Sequence, residues 1–253
     1  MTTMLTPAEA AEAVARPILE IGRTWMQDPS VAPVAESFGL APPFGLWTVG
    51  RAGVMGDAES AAVAAAIGFM GPEQVMGLWE GRDRSVPAWE VSLGYAEHAA
   101  RWGRATFGSL DPAAVARCAE LGAKVSDATL PSIGALFAGW RTVPLPGDPC
   151  GDATIVLQVL REMRGAAHLA AVHAVGLGPH AAIMSTDDPI RGGLSWAETF
   201  GWQAPHPAGD GDARREAERL TTIACAPGFE ALSADERQEF VDVVSLMRAA
   251  LDG

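Results

Sequence analysis

Helix-starting signals recur along the whole chain, while runs of alternating apolar and polar β-branched residues are absent. This contrast most constrains the fold. Thr6-Pro7-Ala8-Glu9 places a capping hydroxyl, a first-turn proline and a carboxylate that can close a capping box at the start of the first helix. Asp111-Pro112 repeats the cap-plus-proline pairing, and Ser233 with Glu236 makes a second capping box. Behind it, Phe240, Val243, Val244, Met247 and Leu251 recur at helical spacing and form the expected buried stripe. Val156, Val159, Leu160 and Met163 mark another such face. Helices are also expected over 44–52, from Asp57 as cap to about Phe69, from Pro72 to near Gly81, from Pro87 to about Phe107, to about Val125 and from Pro131 to Trp140. Pro17 should kink or divide the first element because it donates no amide hydrogen. Ser185 to Ala213, rich in Gly, Pro and Asp, reads as mostly irregular. The fold class is therefore all-α, a compact multi-helix protein. Thr142 to Pro149 is the best linker, giving segments 1–145 and 146–253 packed together as one unit.

Composition narrows the function. The 253 residues carry a formal charge of −13, and both halves are acid-rich, so no basic excess exists to neutralise phosphates and nucleic acid is not expected as a partner. At 49% apolar and 19% charged the chain is neither disordered nor built for membrane insertion. The opening residues lack the basic and apolar regions of a signal peptide, and Cys118, Cys150 and Cys225 are odd in number and widely spaced. A cytoplasmic location with reduced thiols is the expectation. A second copy of the chain is compatible with all of this, as is a monomer.

Several chemistries need fixed spacings that are missing. There is no CxxC, HExxH or Glu-x-x-His, so no metal site is expected, and His168 and His173 stand about 140° apart on a helix. No P-loop or GxSxG elbow occurs, and Gly176-Leu177-Gly178 lacks the preceding strand of a dinucleotide site, so no cofactor is expected. Asp187-Asp188 reads as a turn or cap. Arg214, Arg215 and Arg219, interleaved with Glu216 and Glu218, read as a solvated helix face. The eight tryptophans are mainly core residues by expectation, although Trp together with Met55, Met70, Met76 and Met163 could wall an apolar pocket.

Two segments resemble a family of uncharacterised actinobacterial proteins described as helix-turn-helix proteins. The first is Trp47-Thr-Val-Gly-Arg51-Ala-Gly-Val-Met-Gly56, followed by an Ala-rich helix and Gly68-Phe-Met-Gly-Pro72. The second is Leu160-Arg-Glu-Met-Arg164-Gly-Ala-Ala-His168-Leu-Ala-Ala-Val-His-Ala-Val-Gly-Leu177. In the second, Met163 stands where the family has its first His, and Ala166-Ala167 where it has Asp-Gly. The resemblance implies a C-terminal part derived from a helix-turn-helix-like unit, with a winged-helix stretch after the second segment. The corresponding residues here, Ser185 to Ala213, are few, broken by Pro189, Pro205 and Pro207, and poor in basic side chains, whereas a DNA reader needs a second helix with base-reading and phosphate-binding groups.

Within these segments Trp47, Arg51 and Arg164 are candidate ligand-binding residues and His168 a candidate acid or base. Arg51 either pairs with a buried carboxylate, Glu162 among them, or holds an anionic group of a ligand. His168 is a hydrogen-bonded core residue or a proton-transfer group. The two segments are expected to meet and enclose one pocket holding all four. The favoured function is a small-molecule-binding protein of specialised metabolism without competent DNA binding. The alternatives are an enzyme using His168 and a helix-turn-helix transcription regulator.

Overall fold

The computed structural model describes residues 4–42, 44–186 and 192–252. Among them are thirteen α-helices, two short 3₁₀ turns and no strand. The helices are α1 (Pro7–Gln27), α2 (Val31–Ser37), α3 (Phe44–Ala52), α4 (Ser60–Ile67), α5 (Pro72–Glu80), α6 (Ala88–Phe107), α7 (Pro112–Ala128), α8 (Ala135–Trp140), α9 (Pro149–Ala174), α10 (Pro179–Met184), α11 (Gly193–Thr199), α12 (Gly211–Phe229) and α13 (Ala234–Ala249). No helix among the described residues is long and apolar enough to cross a membrane.

The axis of the molecule is α9. Every residue from Ala153 to Leu160 is buried, so this stretch is enclosed all round rather than along one stripe. Helices α1, α6, α7, α8 and α12 pack around it. Small residues allow the close approaches: a Cβ on Gly122 of α7 would sit 2.5 Å from Val156 Cγ1, and one on Gly103 of α6 would overlap the Thr154 hydroxyl. The one large apolar cluster draws on both sides of the 142–149 segment, joining Trp25, Tyr95 and Trp140 with Leu157, Phe229 and Phe240.

The expected caps are present. Thr6 and Glu9 close a capping box on α1, Asp111 accepts from the Ala113 amide, and Ser233 and Glu236 close the box on α13, whose Phe240, Val244 and Met247 are buried. Three expectations are not met in full, for identifiable reasons. Pro17 does not divide α1, which runs unbroken past it. The carbonyl it leaves without a helical partner belongs to Ala13 on the exposed face, where water can satisfy it. Asp57 does not cap α4: its Oδ1 accepts from Arg82 Nη2 at 2.9 Å. Arg82 is buried against the Trp79 ring, so its guanidinium claims the carboxylate. The stretch 185–213 is not wholly irregular, because Gly193–Thr199 form α11 over a buried Ala197. Asp187 and Asp188 lie outside the described residues.

Gly53, at the end of α3, lies against the backbone of α6, and a Cβ there would overlap the Ala88 carbonyl oxygen. Gly77 of α5 is exposed with open space where a Cβ would go. Thermal or urea unfolding should therefore separate them by sign. Gly53→Ala is expected to lose about 2–3 kcal/mol by overpacking, while Gly77→Ala gains about 0.5–1 kcal/mol by lowering the entropy lost on folding.

Candidate functional site

Arg51 and Trp47 are four residues apart on α3 and share a face, with the Arg51 guanidinium 4.5 Å from the Trp47 ring centroid. Beyond the ring the guanidinium grips Glu162 of α9 with both prongs, Nε donating to Oε1 at 2.6 Å and Nη2 to Oε2 at 2.8 Å. Arg51 is 7% exposed and Glu162 1%. Of the two readings left open for Arg51, the structure supplies the internal carboxylate. Gln158, one turn before Glu162, adds a donor, Nε2 to Oε1 at 2.6 Å. Arg161 reaches the same oxygen with Nη1 at only 3.4 Å. Burial opposes ionisation of Glu162, yet Arg51 beside it holds its carboxyl below the ordinary range, and Glu162 in turn holds Arg51 protonated. Arg161 is less well supported: burial and the neighbouring Arg51 outweigh Glu162 and bring it down to about 10. Tyr95 of α6, packed between Trp25 and Trp140, completes the cluster.

Arg164 and His168 form a second cluster. They stand one turn apart on α9, and Arg164 lies about 200° round the helix from Glu162. Arg164 Nη2 donates to Glu218 Oε2 of α12 at 2.5 Å. His168 Nδ1 lies 2.9 Å from Thr221 Oγ1, and that hydroxyl already donates to the Ala217 carbonyl. The hydroxyl therefore accepts, and the Nδ1–H tautomer donates. The His168 ring stacks on Phe69 at 5.4 Å, and its Nε2 lies 3.8 Å from Glu218 Oε1. Burial pushes the imidazolium down to about 4, so His168 is neutral at neutral pH. Glu218 stays below its ordinary range despite burial, because His168, Arg164 and Arg214 face it.

The two sequence segments thus meet along α9, through Arg51 with Glu162 and Phe69 with His168. They meet in two places rather than around one pocket: Trp47 and Arg51 belong to one cluster, Arg164 and His168 to the other. The basic run of α12 is only partly a solvated face. Arg219 pairs with Glu216 on the surface, whereas Arg214 donates to the Ala182 carbonyl and Glu218 turns inward. Sequence reasoning missed Arg161, Gln158 and Tyr95 as site residues. The available signal was Gln158 and Glu162 at i, i+4 in the mainly apolar run from Ala153 to Met163. Among the described residues no group of three or more His, Cys, Asp or Glu is placed to hold a metal ion.

After α9 the chain turns through Val175–Gly178, with Gly176 and Gly178 at positive φ, into α10. The α10 side chains Ala182 and Ile183 are buried, and His180 stacks on Trp202 at 4.6 Å. The exposed residues of α11 are Leu194, Ser195 and Glu198. Neither helix carries a Lys or Arg.

A histidine held neutral by folding makes stability fall in acid. Its folded value lies below the unfolded one, near 6.5, so the unfolded chain binds the extra proton between about pH 6.5 and 4, and stability is lost as pH drops through that window. Urea unfolding should show about 2 kcal/mol less stability at pH 5 than at pH 7 from this group. Buried His98 adds a loss of the same sign. His168→Gln is expected to remove the His168 share and leave a shallower dependence; an unchanged slope would place the proton elsewhere.

No curated protein and no solved structure matches the chain. Residues 11–210 match the profile of a helix-turn-helix family, and with most of its length covered the chain belongs to that family.

Proposed function

We propose that this member of the helix-turn-helix family is a small-molecule-binding protein, and that its helix-turn-helix segment packs the structure instead of reading DNA. The observation that carries the reading is the polar cluster at the junction of α3, α6 and α9. Tyr95 and Gln158, 0% and 1% exposed, each present a polar atom with no protein partner there. Native interiors seldom leave such atoms unpaired, and a bound polar molecule is one way of pairing them. The absence of cationic side chains from α10 and α11, together with the charge of −13, argues against a phosphate-gripping surface. A cytoplasmic location and a role in specialised metabolism belong to the same proposal.

Family membership favours a second reading, a transcription regulator, because the α9–turn–α10 passage followed by α11 supplies the helices such a protein would use. The enzyme alternative draws less support, since the neutral His168 ring is held by Thr221 and stacked on Phe69.

Fluorescence polarisation with labelled DNA from upstream of the protein's own gene separates the first two readings. At about 150 mM salt no sequence-dependent binding is expected, and nanomolar, sequence-dependent affinity would restore the regulator.

A further inference from the structure

Glu162 already accepts three hydrogen bonds, two of them on Oε1, before Arg161 is counted. Arg51 occupies both oxygens, at 2.6 and 2.8 Å, and Gln158 adds a third hydrogen bond at 2.6 Å. Arg161 is left with one contact at 3.4 Å, and its Nε–H has no protein acceptor. The cluster thus holds two guanidinium cations against one carboxylate. The Arg161 stem crosses Gly22 of α1, where a Cβ would sit 2.6 Å from its Cδ, and its side chain is 17% exposed. Of the three charged side chains, Arg161 is therefore the most open to solvent. Tyr95 donates to no protein atom either, although the residue is fully buried. Gln158 shows the opposite need: its amide nitrogen is committed to Glu162, which fixes the orientation of the group, and Oε1 has no donor.

These needs describe one partner. We propose that Arg161 and Tyr95 bind a singly charged oxyanion, a small monocarboxylate, whose neighbouring hydroxyl donates to Gln158. One negative charge balances the surplus cation, whereas a dianion such as phosphate would leave the buried cluster net negative. The carboxylate accepts from the Arg161 fork and from the Tyr95 hydroxyl, both of which have a donor without a protein partner. This rests on the small-molecule reading above and gives it a ligand class.

A surplus buried cation kept for a ligand destabilises the free protein, so the test has a stability arm and a binding arm. With no added ligand, Arg161→Met, which keeps an unbranched stem over Gly22, should raise the Tm by a few degrees. Tyr95→Phe, which removes an unpaired hydroxyl, should leave the Tm unchanged or higher. Lactate titrated into the wild-type protein at constant ionic strength should give a saturable change in tryptophan fluorescence and a rise in Tm. Propionate should act more weakly, for want of the hydroxyl, and inorganic phosphate more weakly than lactate. Both variants should bind lactate at least tenfold less tightly.

A fall in Tm for both variants would overturn the proposal, as would equal responses to lactate in variant and wild type or a stronger response to phosphate. Native mass spectrometry of the purified protein separates this inference from the reading beneath it. A neutral or cationic molecule retained by the wild type and by Arg161→Met alike would overturn the oxyanion and leave small-molecule binding standing. No retained molecule, together with no response to lactate or propionate, would overturn both.

Discussion

A carboxylate buried in the middle of a helix is tolerated only if a cation meets it there. That constraint, imposed by Glu162 of α9 and met by Arg51 of α3, organises the rest of the molecule. The bidentate grip fixes both the position and the orientation of α3 against α9, because a planar fork meets a planar carboxylate in few ways. It also sets what lies around it. Trp47 covers the outer face of the guanidinium, and the Arg51 carbonyl accepts from Trp140 Nε1 of α8 at 3.0 Å. Ser92 of α6 donates to the Gly50 carbonyl at 2.7 Å, one residue earlier in the chain. A single ion pair therefore brings α3, α6, α8 and α9 to one point.

The second cluster works on a different scale. Arg164, His168 and Glu218 are only partly buried, and they join α9 to α12 rather than to α3. Glu218 and Thr221 lie beyond residue 210, outside the family match, so the segment that follows the matched region supplies the partners for two polar residues inside it. Arg164 and His168 both find partners within the chain, whereas Arg161, Gln158 and Tyr95 carry polar atoms with unmet needs.

Local chemistry was legible in the sequence where it acts over three or four residues. The boxes at Thr6–Glu9 and Ser233–Glu236 and the Asp111 cap are settled by groups that can reach one another along the chain. Readings failed where a distant group competed. Asp57 looks like a cap until the buried Arg82 takes its carboxylate, and the Arg214–Glu218 pair looks solvated until Arg164 and Ala182 arrive from elsewhere in the fold. Division at Pro17 fails for another reason: the proline's effect depends on whether the freed Ala13 carbonyl faces water, which only the packing of α1 decides. Glu162 was recognised as one acid able to neutralise Arg51. Arg161 escaped notice because its importance is a matter of charge balance, visible only once three side chains are seen around one carboxylate.

The claim that the Arg51–Glu162 pair is the keystone is tested most directly by a double-mutant cycle in urea, with Arg51→Met, Glu162→Met and the double replacement. Removing one partner of a buried pair leaves the other uncompensated, at about 3–5 kcal/mol, whereas removing both leaves apolar groups of similar size. Glu162→Met should cost more than Arg51→Met, because Arg161 remains to face Glu162 in the latter. The account predicts a double variant more stable than the sum of the single losses implies, by about 2 kcal/mol or more. Losses that add to within about 0.5 kcal/mol would show two independent residues and contradict it.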